Sequence, residues 1–301
     1  MANTIIQKSN NKLHKLKSTY LVPFVFLFPA LLLFFTFFYL PTFAAFYYSL
    51  MDFQLLQTPE WAGLDNYRQL IDDPLFWKAL GNSAMYVVIM VPALVVIPLL
   101  IAILVNQKLR GISLFRLIVF LPVVTPMIAV AIVWEFIYHP MGLLNGVLQT
   151  LGININENWL LNDNLALPAI AILQIWKFVG YYMMIYLAGL QAVSRDLIEA
   201  ARLDGASSFR VLWHVYVPQL RPIIAVVLIL STMEAVRVFT SVYVMTGGGP
   251  LNSTISLPVY VYRKAFVELD MGYASTIGIV LWVILMIVTV LNFKISRGSE
   301  N

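Results

Sequence analysis

The sequence of 301 residues contains no cysteine, three histidines and only 11% charged residues. Without cysteine the chain has neither disulfides nor a thiolate metal site. The histidines, His14, His139 and His214, lie far apart and show no ligand spacing, so we predict no metal site. No glycine is followed by lysine, which excludes the phosphate-binding loop Gly-x-x-x-x-Gly-Lys-Ser/Thr. We therefore expect a chain that is not an enzyme and binds no cofactor itself.

Long apolar runs dominate the residues that are present. The chain is 60% hydrophobic with a mean hydropathy of +0.83, which leaves no room for a separate soluble catalytic domain. Six runs are long enough to cross a bilayer as helices. They cover residues 20–50, 79–105, 117–138, 165–190, 222–246 and 273–293. The predicted fold class is therefore all-α, a polytopic membrane protein with six transmembrane helices.

The polar segments between these runs give the domain organisation. Residues 1–19 are basic and resemble the start of a signal peptide. The uncharged run that follows is too long for the apolar region of a signal peptide. Residues 20–50 are therefore predicted to form the first span, kinked by its three prolines. Residues 51–78 form an outer loop, 79–293 the core with spans 2 to 6, and 294–301 a tail. Within the loop 139–163 we predict a short interfacial helix around residues 143–151.

Basic residues are distributed unevenly between the two sets of loops, and this predicts the orientation. The side that holds both termini carries 13 of the 19: Lys8, Lys12, Lys15, Lys17, Lys108, Arg110, Arg116, Arg195, Arg202, Arg210, Arg221, Lys294 and Arg297. The other side carries four: Arg68, Lys78, Arg263 and Lys264. Both termini and the loop 194–218 are therefore predicted to be cytoplasmic. The outer loops hold nine of the 15 acidic residues and are net negative.

The loop between spans 4 and 5, residues 194–218, is called the coupling loop below. Its first half places Glu199 and Arg202 on one charged stripe of a short helix. Gly205 permits the left-handed backbone that ends this helix, and Ser207 is placed to cap a second one. An amphipathic helix pair of this kind on a membrane protein indicates a docking element, although a plain connector between two spans would also have this pattern.

The coupling loop also resembles the cytoplasmic loop of permease subunits in binding-protein-dependent ABC importers. The family pattern is Glu-Ala-Ala, three residues, Gly, nine residues, then Ile-x-Leu-Pro. Here Glu199-Ala200-Ala201, Gly205 and Val215-x-Val217-Pro218 match it in spacing, with valine in place of Ile and Leu. Residues 246–250, Thr-Gly-Gly-Gly-Pro, and 272–275, Gly-Tyr-Ala-Ser, are similar to segments of the carbohydrate-uptake, maltose-type branch.

The resemblance implies a coupling helix that docks in a cleft of a separate ATPase. The residues it assigns to this contact are Glu199, Ala200, Ala201, Arg202, Asp204, Gly205 and Pro218. It also implies four kinds of partner: a second homologous permease, two ATPase subunits that bind ATP and Mg²⁺, an extracytoplasmic solute-binding protein and a small-molecule solute. The implied location is the bacterial cytoplasmic membrane.

Polar residues within the predicted spans mark a candidate solute path, because a charge at a helix centre costs about 2.5–3.5 kcal/mol on insertion scales. The candidates are Glu135, Gln174, Lys177, Tyr181, Ser231, Glu234 and Arg237. Trp134, Trp176, Tyr181 and Tyr182 are aromatic residues that could stack on sugar rings. A structural alternative pairs Glu234 with Arg237, and Lys177 with Glu135, without any solute contact.

The function expected from these features is inward transport of a di- or oligosaccharide, or a related polyhydroxy solute, by an ABC importer. An ABC permease for glycerol phosphate or an osmolyte has the same loop. A secondary transporter could instead use the intramembrane charges as an ion relay, but it would leave the coupling loop unexplained. A membrane scaffold without transport is the remaining alternative.

Overall fold

The computed structural model describes residues 23–107, 110–153 and 155–298. The predicted N-terminal segment 1–19 and residues 299–301 lie outside them. The helices are α1 (Pro23–Tyr48), α2 (Asp65–Asp72), α3 (Pro74–Val105), α4 (Ile112–Val124), α5 (Met127–Tyr138), α6 (Leu143–Thr150), α7 (Ala166–Leu190), α8 (Arg195–Leu203), α9 (Ser208–Val211), α10 (Val217–Gln219), α11 (Arg221–Val236), α12 (Thr240–Met245), α13 (Leu257–Tyr262) and α14 (Met271–Gly298). Strands β1 (Met51–Asp52) and β2 (Glu60–Trp61) pair antiparallel.

Six stretches of the described residues are long and apolar enough to cross a membrane, which confirms the predicted fold class. They are Pro23–Tyr48, Pro74–Val105, Met127–Thr150, Ala166–Leu190, Arg221–Met245 and Met271–Lys294. Helix α6 lies where the short helix around residues 143–151 was predicted, and it forms the end of the candidate span Met127–Thr150. The last helix continues past residue 293, where we expected a tail, and reaches Gly298.

The third predicted span is two helices rather than one. Helix α4 ends at Val124 and α5 begins at Met127, with Thr125 extended between them. Pro126 explains the break, because proline disfavours helical backbone in the residue before it and lacks the N–H that would continue the helix. The hydroxyl of Thr125 donates to the carbonyl of Pro122 at 2.7 Å, which satisfies one of the carbonyls released there.

The fifth predicted span is also divided, into α11 and α12. Arg237, Val238 and Phe239 lie outside both helices. Neither proline nor glycine marks this break in the sequence. Instead a contact from a distant segment stabilises it, because Ser256 donates its hydroxyl to the carbonyl of Val238 at 2.6 Å.

Helix α7 lies at the centre of the bundle and α1 at its edge. In the most apolar stretch of α7, 56% of the residues are buried, compared with none in α1. Helix α7 packs against α3 and against α4, where Gly180 allows direct backbone contact. A Cβ atom at Gly180 would lie 2.2 Å from the carbonyl oxygen of Val119. Helix α1 contacts α14 and is otherwise exposed.

Two prolines are each preceded by a π-helical turn. Residues Phe35–Tyr39 form one before Pro41, and Leu212–Tyr216 form another before Pro218. In each turn a backbone N–H bonds the carbonyl five residues earlier, as Leu40 does with Phe35. The wider turn accommodates a ring that would clash with the preceding turn of an α-helix. The first of these turns lies where a kink in the first span was predicted.

Candidate coupling surface and solute path

The first half of the coupling loop has the local geometry that its sequence predicts. Ser194 begins α8 by accepting a hydrogen bond from the N–H of Asp196 at 3.2 Å. At the other end Gly205 is left-handed, with φ of +78°. The N–H of Ala206 then bonds the carbonyl of Ala201 at 2.9 Å, and that of Gly205 bonds Arg202 at 3.0 Å. This pair of bonds is the Schellman ending, which favours glycine at the left-handed position.

Most of the surface of α8 is exposed on the described chain. Glu199, Ala200, Arg202 and Asp204 are exposed, whereas Ala201 is half-buried. The side chain of Leu203 is 88% exposed. A short helix that combines exposed charges with an exposed leucine is typical of a protein-binding surface.

A polar cleft of about 460 Å³ lies behind α8 and connects it to the ends of two spans. Glu199, Arg202 and Ile198 form its wall on α8, while Asn106 follows α3 and Leu190 ends α7. The predicted contact residues Glu199 and Arg202 are therefore directly adjacent to both spans.

The second half of the coupling loop is anchored in the membrane domain. Ser207 accepts a hydrogen bond from the N–H of Arg210, as its position predicts. Val211 is buried, and Val215 and Val217 pack against the main core. Pro218 is half-buried in α10, immediately before α11 begins at Arg221. The coupling loop thus connects the end of α7 to the start of α11 through packed apolar side chains.

Two of the predicted solute-path residues on α7 are buried and bonded to other helices. Gln174 donates its amide to the hydroxyl of Ser241 on α12 at 3.0 Å, while its side-chain oxygen is buried and has no hydrogen-bond partner among the described residues. Lys177 is 5% exposed, and its ammonium donates to the carbonyls of Pro122 (3.0 Å), Val123 (3.4 Å) and Thr125 (2.7 Å). Lys177 therefore caps the end of α4 at the break in the third span.

The charged solute-path residues other than Lys177 are not joined by salt bridges within the described chain. Glu135 on α5 and Arg237 at the break before α12 are exposed, and Glu234 is half-buried. Among the residues that the structure describes, salt bridges join Arg68 to Asp65 and Lys264 to Glu268, and none joins the four intramembrane charges to one another. Neither of the charge pairs considered in the structural alternative is present as a salt bridge.

Ser231 and Tyr181 differ in accessibility. Ser231 is fully buried, and its hydroxyl donates to the carbonyl of Leu228 at 3.2 Å. Tyr181 is 40% exposed and lies edge-on to Tyr182, with ring centroids 5.2 Å apart. Tyr182 itself is buried, so Tyr181 is the accessible ring of this pair.

Comparison with known proteins identifies this arrangement. Residues 75–299 match the family model described as the inner membrane component of binding-protein-dependent transport systems. The chain belongs to this family of permeases. It is 36% identical to "Probable ABC transporter permease protein YurN" of Bacillus subtilis, over 93% of this chain and 97% of that protein. It is 34% identical to "Multiple sugar-binding transport system permease protein MsmF" of Streptococcus mutans, over 91% and 95%.

A solved structure shows the same fold. A chain of a bacterial ABC transporter involved in alginate import superposes with a TM-score of 0.81 and 22% identity, covering 95% of this permease and 98% of that chain. The permease is thus a multi-pass inner-membrane subunit of an ABC importer and is not an enzyme. The family match begins at residue 75, near the start of α3, and includes both broken spans and the coupling loop.

Sequence reasoning missed an aromatic cluster at the break in the fifth span of the permease. Phe239 and Tyr243 stack with ring planes 10° apart and centroids at 5.4 Å. Tyr262 lies edge-on to Tyr243 at 4.9 Å, and Phe266 packs on Tyr262. The spacing of Phe239 and Tyr243, four residues apart after the intramembrane Arg237, was an available signal.

Sequence reasoning also missed a polar cluster on the side opposite the coupling loop. The carboxylate of Asp73 accepts hydrogen bonds from the hydroxyls of Tyr260 and Tyr273, the latter at 2.6 Å. Burial raises the pKa of Asp73, but these bonds and backbone N–H groups outweigh it and hold the pKa below its ordinary value. The ring of Tyr273 also lies 5.1 Å from the ammonium of Lys264. This cluster ties the start of α3 to α13 and α14.

Proposed function

We propose that this permease moves a di- or oligosaccharide, or a related polyhydroxy solute, into the cell, driven by separate ATPase subunits that dock on Glu199–Pro218. The observation that carries the proposal is the coupling loop, whose α8 is exposed while its second half is packed into the membrane domain. The similarity to MsmF, a permease protein of a multiple sugar-binding transport system, supports the solute class.

The coupling loop gives a physical route from ATP hydrolysis to the membrane. Exposed Glu199 and Arg202 can form charge-assisted hydrogen bonds across the ATPase contact, and Ala200 lets the two backbones approach closely. Since the chain carries no phosphate-binding loop, ATP and Mg²⁺ belong to the partner. Closure of two ATPase subunits would displace α8 and, through the packed second half of the loop, both α7 and α11.

The polar groups along α7 and α12 favour a neutral, hydroxyl-rich solute over a phosphate. The ammonium of Lys177 is already bonded to three carbonyls, so it offers little to a phosphate. Gln174, Ser241 and the exposed ring of Tyr181 are the amide, hydroxyl and aromatic groups that recognise sugars. An ion relay has less support, because no salt bridge connects the intramembrane charges within the described residues.

The full importer requires a second permease and an extracytoplasmic binding protein. The loops at residues 51–78 and 247–270, on the face predicted to be outer, would meet that binding protein. The decisive measurement is solute-stimulated ATP hydrolysis by the purified assembly in vesicles, with the binding protein and a panel of saccharides, glycerol phosphate and osmolytes.

Two variants test the route through the coupling loop. Glu199→Lys reverses a charge on the proposed contact, and Gly205→Pro forbids the positive φ that ends α8. Each should leave membrane insertion intact and abolish solute-stimulated hydrolysis. The matched controls are Asp163→Lys, an exposed acid on the opposite face, and Gly152→Pro, where φ is +81° after α6. Normal uptake by the Glu199 and Gly205 variants would refute docking at this loop, and stimulation by glycerol phosphate alone would refute the saccharide assignment.

A further inference from the structure

An apolar pocket of about 330 Å³ lies between α5, α6 and the first turns of α7. Trp134 and Tyr138 line it from α5, Leu144 and Val147 from α6, and Ala169 and Ile172 from α7. All three helices belong to candidate membrane-spanning stretches. Val147 and Ile172 line the pocket and are also exposed on the surface of the described chain. Since these helices are apolar enough to lie in a membrane, we expect the pocket to be open to lipid.

The pocket is held open by a buried asparagine. Asn145 is fully buried, and the two hydrogens of its amide are shared among the carbonyls of His139 (3.3 Å), Pro140 (3.0 Å) and Glu157 (2.8 Å). Its side-chain oxygen accepts a hydrogen bond from the indole N–H of Trp159 at 2.8 Å. These contacts fix α6 to the segments on either side of it and thereby hold it in place beside the pocket.

The chemistry of the walls excludes a polar ligand. The polar atoms nearest the pocket are already paired, since Trp159 donates to Asn145 and the hydroxyl of Tyr138 donates to the carbonyl of Ala169 at 2.8 Å. A sugar or phosphate placed here would lose its hydration without gaining hydrogen bonds. Apolar cavities of about half this volume stay dry and bind small hydrocarbons in other proteins.

We propose that this pocket binds one acyl chain of a phospholipid from the leaflet on the side opposite the coupling loop. The tryptophans fit this assignment, because indole rings concentrate at the membrane interface, where the chain would enter from its headgroup. The occupied pocket would support Trp134 against Trp176 on α7, whose ring centroid lies 5.4 Å away. The pocket lining includes none of the seven candidate solute-path residues and none of the residues assigned to the ATPase contact.

The test uses the complete transporter in phosphatidylcholine vesicles that contain a trace of phosphatidylcholine with a diazirine midway along one acyl chain. After irradiation, mass spectrometry should find several-fold more adducts on Leu144, Val147 and Ile172 than on Phe26 of α1, which is 81% exposed and does not line this pocket. Labelling that simply follows exposure would mean annular lipid only and would overturn the proposal. Absence of adducts in the pocket, as expected if the second permease covers it, would overturn it too.

A pair of substitutions provides the specificity control. Ala169→Leu fills the pocket from α7 and should reduce labelling there to the level found on α1. Ala30→Leu adds the same side chain at an exposed site on α1 and should change nothing in the pocket. Undiminished labelling of Val147 in the Ala169 variant would contradict the assignment. If that variant is not recovered in the membrane, the adduct map of the unsubstituted transporter decides the question by itself.

Discussion

Lys177 is the residue for which a structural and a solute-binding role predict opposite results. It is 5% exposed, and its ammonium bonds three carbonyls at the end of α4. The change Lys177→Met keeps an unbranched apolar stem and removes the three donors. If the role is structural, the variant loses stability first, and any loss of transport follows from less folded protein.

The loss of stability expected in Lys177→Met follows from the lengths of its hydrogen bonds. Two of the bonds, to Pro122 and Thr125, are 3.0 Å or shorter, and hydrogen bonds to a charged group contribute about 1.5–3 kcal/mol each. Their sum, about 3–6 kcal/mol, is opposed by about 2.5–3.5 kcal/mol for placing a charge at membrane depth. The difference between the midpoints leaves a net loss of about 1.5 kcal/mol in Lys177→Met, roughly a tenfold change in the folding equilibrium.

The assay is the midpoint of reversible unfolding in mixed micelles with increasing dodecyl sulfate, together with uptake per folded transporter. The control is Lys78→Met, which removes a bond of 2.7 Å to the carbonyl of Leu251 at an exposed site and should cost about 1 kcal/mol or less. A Lys177 variant with unchanged stability but an altered saccharide preference would refute the capping role and restore Lys177 to the solute path.

Three further predictions concern contacts between the spans. Gly180→Ala should destabilise the bundle by about 1–3 kcal/mol, because the added Cβ would meet the backbone of α4. The control Gly278→Ala should be neutral or slightly stabilising, since its added Cβ has nothing within 4 Å. The unfolding midpoints of the two variants in dodecyl sulfate test this difference. The folded-state pKa of Asp73 is depressed, so its charge stabilises the fold above the ordinary value near pH 4, and this stabilisation is lost as the pH falls through the folded pKa. Thermal unfolding of Asp73→Asn should therefore lack one acid-dependent step that the unsubstituted protein shows, and identical pH profiles would contradict this. A double-mutant cycle with Gln174→Leu and Ser241→Ala should give a coupling of about 0.5–1.5 kcal/mol in unfolding, while additive effects would show that their 3.0 Å bond does not contribute.

Local sequence signals predicted the parts of this fold that local chemistry determines. Six apolar runs predicted the number of spans. Gly205 and Ser207 predicted where the first helix of the coupling loop ends and where the second begins. Each of these features depends on residues within a few positions of one another, where backbone preference and capping act.

The contacts that shape the candidate solute path connect residues far apart in the chain, and no local pattern specifies them. Lys177 bonds the carbonyl of Thr125, 52 residues earlier, and Asp73 bonds Tyr260 across 187 residues. The break at Pro126 had a visible cause, since proline disfavours helix before it. The break at Arg237 had none in the sequence, because its stabilising partner, Ser256, comes from a later loop.

Side chains of helix α7 form hydrogen bonds to both interrupted spans of the membrane domain. Lys177 fixes it to the end of α4, and three residues earlier Gln174 bonds Ser241 near the start of α12. Since Gly180 also brings the backbones of α7 and α4 into contact, α7 cannot shift against α4 without breaking these bonds or moving α4 with it. The end of α7 leads directly into the coupling loop through Leu190, which lines the cleft beside Glu199. A displacement of α8 would therefore be applied to a helix whose side chains bond both interrupted spans.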